Sequence, residues 1–130
     1  MYIDQDSGIM IHNDDNINSM RKAGKLAAEV LDHIIPFVIP GVTTEALDKE
    51  CHEFILKNNA VPAPLNYKGF PKSICTSINH VICHGIPGDK ILINGDILNI
   101  DITVILDGWY GDTSRMFWVG KPGIKAKKLI

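Results

Sequence analysis

The sequence has no excess of positive charge, no long apolar run and no paired-cysteine motif, and each lack removes a class of function. Its 13 Lys and Arg stand against 15 Asp and Glu, a formal charge of -2. No basic face is legible in their spacing, so nucleic acid is not an expected partner, and small-molecule, peptide or protein partners are favoured. No apolar stretch approaches the roughly 20 residues needed to cross a bilayer, because Pro36, Pro40 and Asn99 break the best candidates. The three cysteines, Cys51, Cys75 and Cys83, are odd in number and form no C-x-x-C pair. The start Met1-Tyr2-Ile3-Asp4-Gln5-Asp6 is acidic where a secretory leader is basic and then apolar. These lacks predict a soluble protein of the reducing cytoplasm with no membrane attachment.

What is present suffices for one folded domain, since 45% of the 130 residues are hydrophobic. Residues 1–16, rich in Asp and Asn, lack sustained periodicity and read as an acidic, loosely attached arm. From Ile17 the apolar residues Met20, Ala27, Leu31 and Ile34 recur at intervals of three and four, with Asn16 or Ser19 available as cap and Pro36 as stop. That spacing predicts an amphipathic helix. A second helix is expected from Thr43 or Thr44 to Asn58-Asn59, with Leu47, Cys51, Phe54 and Ile55 on its buried side. The prolines at 62, 64 and 71 forbid helix between Val61 and Pro71 and leave an ordered loop presenting Tyr67 and Phe70.

Short strands are expected over Ser73 to Ile78 and Val81 to Cys83, followed by the Gly85-Ile86-Pro87-Gly88 loop. Asn94-Gly95-Asp96 then turns the chain into a β-branched strand from Ile97 to Leu106, and Asp107-Gly108 is a two-residue hairpin signal before a returning strand from Trp109 to Val119. The last seven residues, from Ile124, look like a helix that stops within two turns, which suggests a truncated sequence.

Along the first hairpin strand Ile100, Ile102 and Val104 point one way and Asn99, Asp101 and Thr103 the other. If Asp107 and Gly108 are the central turn residues, Asp101 lies opposite Ser114 and Asp112 opposite Thr103. Both aspartates then share one polar face as diagonal neighbours, roughly 7 Å apart. Two like charges so placed call for a cation, and oxygen ligands suit hard or borderline divalent ions. Without one, Asp112 could belong to a second turn with Gly111 while Asp101 bonds a neighbouring backbone. His84 sits between an apolar run and a Gly/Pro loop, where a histidine reaches into a site or is held structurally. Cys75, His80, Cys83 and His84 match no usual structural zinc spacing, so the cysteines read as buried free thiols.

The segments Met20 to Leu31, Ser73 to Asn79, VICHGIP at 81–87 and NGDILNIDITVILDGWYGDTSRMF at 94–117 occur in an order that closely resembles the bacterial-type methionine aminopeptidases of type I. The resemblance implies an α+β chain, half of a pita-bread fold, with an antiparallel sheet and covering helices; residues 17–130 would be the N-terminal half of the catalytic domain. It also implies two divalent ions (cobalt, manganese, iron or zinc), with Asp101 chelating one and Asp112 bridging both. His84 would contact the scissile region, Asn79 would contribute to a nearby monovalent-cation site, and Tyr67, Phe70 and Cys75 would line the methionine pocket. The implied reaction is removal of the initiator methionine from nascent or newly made proteins by a metal-bridged hydroxide. The implied working form is a monomer when complete, with ribosome proximity one placement, and a glutamate of the second half as general base. Pro64 stands where relatives often carry cysteine, and Phe70 where tyrosine is common. The remaining histidine and both glutamates of the ligand set have no counterpart in the 130 residues, so the piece alone is expected to be inactive. A prolidase-like peptidase and a non-catalytic fold relative are the alternatives.

Overall fold

The computed structural model describes residues 1–130. Chain order is β1 (Tyr2–Ile3), β2 (Met10–Ile11), α1 (Asp14–Ile34), α2 (Thr44–Lys57), β3 (Val61–Pro62), β4 (Cys75–Ile78), β5 (Ile97–Leu106), β6 (Trp109–Trp118) and α3 (Ile124–Leu129). No helix is long and apolar enough to cross a membrane.

The sheet is antiparallel throughout and centred on β5. On one side β5 pairs with β4 and β3 end to end, and on the other with β6 along its whole length. Asp107 and Gly108 both have positive φ, 50° and 82°, the backbone a two-residue hairpin turn of this hand requires. The turn fixes the register: Leu106 faces Trp109, Asp101 faces Ser114 and Thr103 faces Asp112, as expected. Leu98, Ile100, Ile102 and Val104 are all fully buried, and they pack with Leu26, Val30 and Ile34 of α1 and Leu47, Cys51 and Ile55 of α2 into one core. Helices cover this face alone. The opposite face, with Asn99, Asp101 and Thr103, stays open.

Four local expectations need correction. The first helix begins at Asp14, earlier than Ile17, because Asn13 is its cap: the Asn13 side chain accepts from the Asn16 amide at 2.9 Å, and the Asn16 side chain accepts from the Asn13 amide at 3.2 Å. This reciprocal box satisfies two donors that a start at Ile17 would leave open. The arm carries a small antiparallel ribbon, Tyr2 opposite Ile11, and His12 rests edge-on against Trp109 with centroids 5.4 Å apart. Val61–Pro62, inside the expected loop, joins the sheet opposite Ile105 and Val104. Val81 to Cys83 is not a strand, and Cys83 is exposed, so only Cys51 and Cys75 are the buried thiols expected of all three.

Candidate functional site

β5 carries Asp101 into the floor of a cleft of about 830 Å³. Cys75 on β4 lies directly across the sheet from it. The loop between β3 and β4 supplies one wall through Tyr67, Phe70 and Pro64, and His84, Ile86 and Tyr110 supply the rest. Asp112 stands on the same sheet face, diagonal to Asp101, and its Oδ1 accepts from Thr103 Oγ1 at 2.9 Å.

The electrostatics follow from this placement. Burial raises the Asp101 carboxyl above the usual carboxylate range, and the Asp112 charge pushes it further the same way; His84 and the Ile102 amide pull it back. Neither aspartate takes part in any of the chain's ion pairs. Two carboxylates on one sheet face with no Lys or Arg paired to either make a donor arrangement that suits a divalent ion. They form a partial set, since no three His, Cys, Asp or Glu side chains come together as a metal-holding group. Cys75 is 7% exposed, and burial, with Asp101, Cys83 and Asp48 behind it, pushes its thiol up to about 11. It is a neutral, polarisable wall at neutral pH.

His84 reaches the cleft through backbone geometry that the sequence does not display. Its φ is +56°, uncommon for a side-chain-bearing residue. Gly85 next to it lies so close to β4 that an added Cβ would sit 1.9 Å from the Thr76 carbonyl oxygen. The Thr76 amide donates to the Gly85 carbonyl at 2.8 Å, and the Gly85 amide to Ser77 Oγ at 3.1 Å. The loop is thus strapped along β4 and turns His84 towards Cys75 and Asp101.

Asn79 lies elsewhere. Its Nδ2 donates to Asp96 Oδ1 at 3.0 Å and its Oδ1 accepts from the Ile97 amide at 3.1 Å, beside a smaller hollow of about 260 Å³. The structure therefore gathers Tyr67, Phe70, Cys75, His84 and Asp101 around one cleft, sets Asp112 at its side and puts Asn79 at the far end of β4. Sequence reasoning missed Tyr110, which the polar-face periodicity of β6 carries, the buried Asp48, whose partners are the backbone amides of Ser73 and Ile74 remote in sequence, and the buried Asp96, held by the Asn79 side chain and the nearby Ile93 amide.

Residues 18–130 match the model of metallopeptidase family M24. Over 122 residues the chain is 68% identical to a methionine aminopeptidase of Rickettsia prowazekii, covering 94% of this chain and 47% of the relative. It is 56% identical over 123 residues to the methionine aminopeptidase of Escherichia coli strain K12, covering 93% and 47%. The crystal structure of the Rickettsia enzyme superposes with a TM-score of 0.92 over 94% of this chain and 49% of that one. An Xaa-Pro dipeptidase from Bacillus anthracis, 24% identical, superposes at 0.74 over 91% and 32%, and shares the fold; the pita-bread architecture common to these neighbours is the one of which this antiparallel sheet with helices forms half. The chain spans about half the length of the curated relatives it matches.

Proposed function

From the premise that this chain belongs to metallopeptidase family M24, we propose that it forms the aspartate-bearing half of a methionine aminopeptidase acting on the N-terminal methionine of new proteins. The observation that carries the reading is the pair Asp101 and Asp112 on one face of the hairpin, with Asp101 in the lining of an apolar-walled cleft and Asp112 diagonal to it outside that lining.

In this reading Asp101 and Asp112 hold divalent metal, two ions as in the resemblance, and donors outside the 130 residues complete the set. Divalent metal bound there would polarise the scissile carbonyl and make water a nucleophile near neutral pH. This chain's other residues bind and orient. Tyr67, Phe70 and the neutral Cys75 take the unbranched thioether side chain and exclude water from it. His84 hydrogen-bonds the substrate beside the bond to be cut. Asn79 supports a monovalent cation at the end of β4. The residues ahead of α1, 1–13, act as an arm outside the catalytic unit, and the whole protein works as a cytoplasmic monomer.

The test uses a chain of the relatives' full length carrying these 130 residues. Asp101→Asn and Asp112→Asn should each abolish methionine release and weaken Mn²⁺ or Co²⁺ binding measured by calorimetry; retained release by either variant overturns the assignment. Peptides beginning Met-Ala and Xaa-Pro separate the methionine reading from a prolidase-like one. The 130 residues alone should release no methionine, because two carboxylates do not make a complete ligand set.

A further inference from the structure

One face of α2 grips three consecutive residues at the foot of the cleft's outer wall. Lys72 Nζ lies 2.6 Å from Glu45 Oε1. The Ser73 and Ile74 amides donate to Asp48 Oδ1 at 2.8 and 3.0 Å, and Ser73 Oγ lies 2.7 Å from His52 Nδ1. Glu45, Asp48 and His52 follow one another at helical spacing and form a single stripe. Their weights differ. The Glu45–Lys72 pair is exposed and stabilises little. Asp48 is 8% exposed and Ser73 2%, so the charge-assisted bonds of Asp48 are strong, and leaving those amides unpaired would be costly.

The grip matters because of what hangs from it. The wall loop is tied at its start by the Ala63 amide, which donates to the Thr103 carbonyl of β5 at 2.9 Å. Its end is tied by α2 just before β4 begins. Between the ties it bonds within itself: Asn66 N to Phe70 O at 2.8 Å, Tyr67 N to Pro64 O at 3.0 Å and Phe70 N to Tyr67 O at 2.9 Å. The loop is a self-bonded knuckle on two pins, and a tilt about those pins moves Tyr67 and Phe70 relative to Cys75 and Asp101.

We propose that Asp48 is a positioning residue for this cleft: by holding the Ser73 and Ile74 amides it sets the gap between the aromatic wall and the Cys75 floor, and so the length of apolar side chain admitted. The inference rests on the methionine reading above and adds to it a determinant of specificity outside the cleft. Asp48→Asn keeps the volume and removes the charge. In the full-length protein it raises KM for a Met-initiated peptide about tenfold while kcat stays within about twofold. Its preference for methionine over norleucine or ethionine at the N-terminus narrows, and Mn²⁺ affinity is unchanged. Ser73→Ala, which leaves both Asp48 bonds in place, keeps KM near that of the unmodified protein. Amide exchange at Ser73 and Ile74 accelerates in Asp48→Asn while β5 keeps its protection.

A fall in kcat at constant KM, an unaltered side-chain preference or unaltered exchange at those amides overturns the proposal. If Asp48→Asn does not fold, Asp48→Glu, which keeps the charge and displaces the pinned amides by a methylene, must shift the same preference. An unmodified protein that releases no methionine refutes the functional reading instead. Exchange then decides the positioning role by itself: acceleration at Ser73 and Ile74 with β5 still protected supports it, and unaltered exchange at those two amides refutes it.

Discussion

Cys51, Cys75 and Cys83 occupy three environments and differ in chemistry accordingly. Cys83 is exposed and the other two are buried, so a maleimide at neutral pH should label one thiol per chain, located at Cys83 by peptide mass mapping; labelling of Cys51 under native conditions would contradict the packing. Burial, aided by the charges of Asp48 and Glu50, pushes the Cys51 thiol from its ordinary 9.0 up to about 12. Above pH 9 the unfolded chain has lost this proton and the folded chain still holds it. The stabilisation is therefore complete below pH 9 and disappears as pH rises towards 12. Urea midpoints should fall across that window, and Cys51→Ala should flatten the slope whatever its offset at neutral pH. At this scale the sequence makes Asp101 and Asp112 legible because a period of two and a two-residue turn convert chain distance into position. It hides Asp48, which reads as an ordinary helix-surface carboxylate until the Ser73 and Ile74 amides are found beside it.

The β5–β6 hairpin and α1 meet at a point with no room for a side chain. A Cβ on Gly111 would lie 2.1 Å from the Ala23 carbonyl oxygen of α1, and all three contacts there are backbone, which cannot rotate aside. Gly111→Ala must lift α1 from β6 or bend β6, an overpacking cost of about 2 kcal/mol. Equilibrium unfolding in urea should show that loss. Calorimetry should also show weaker Mn²⁺ binding, because Asp112 is the next residue. Unchanged stability would mean that the two elements are farther apart than the structure has them. The hairpin was legible from its β-branched run and Asp-Gly turn. The Val81–Cys83 segment was not, since its apolar residues suggest a strand while the positive φ of His84 and the strapping of Gly85 to β4 bend it into a loop that leaves Ile82 90% exposed.

For the molecule as a whole, surface area gives the decisive comparison. A compact monomer of 14.4 kDa should expose about 6,800 Å² by the usual size scaling, whereas this chain exposes 8312 Å². The difference, about 1,500 Å², exceeds the roughly 800 Å² that one partner contributes to a standard interface. The β1–β2 ribbon, α3, the loop at Ile82 and the open sheet face all contribute to it. That face ends in β6, ten residues long, paired on one side with β5 and on the other with nothing, and it carries Tyr110 at 63% and Trp118 at 45% exposure. An unpaired edge with exposed aromatics recruits another strand. Sedimentation of the 130 residues alone should therefore show association that grows with concentration, together with binding of a hydrophobic dye. We expect a chain of the relatives' length carrying the same residues to sediment as a monomer and bind little dye, its additional residues covering this face. Lys substitutions at Tyr110 and Trp118 should suppress association of the short chain without unfolding it, since both side chains project from the uncovered face and take no part in the core. A short chain that stays monomeric and dye-free at high concentration would show that its open face is stable in water unaided, and the size argument for a covering half would fail.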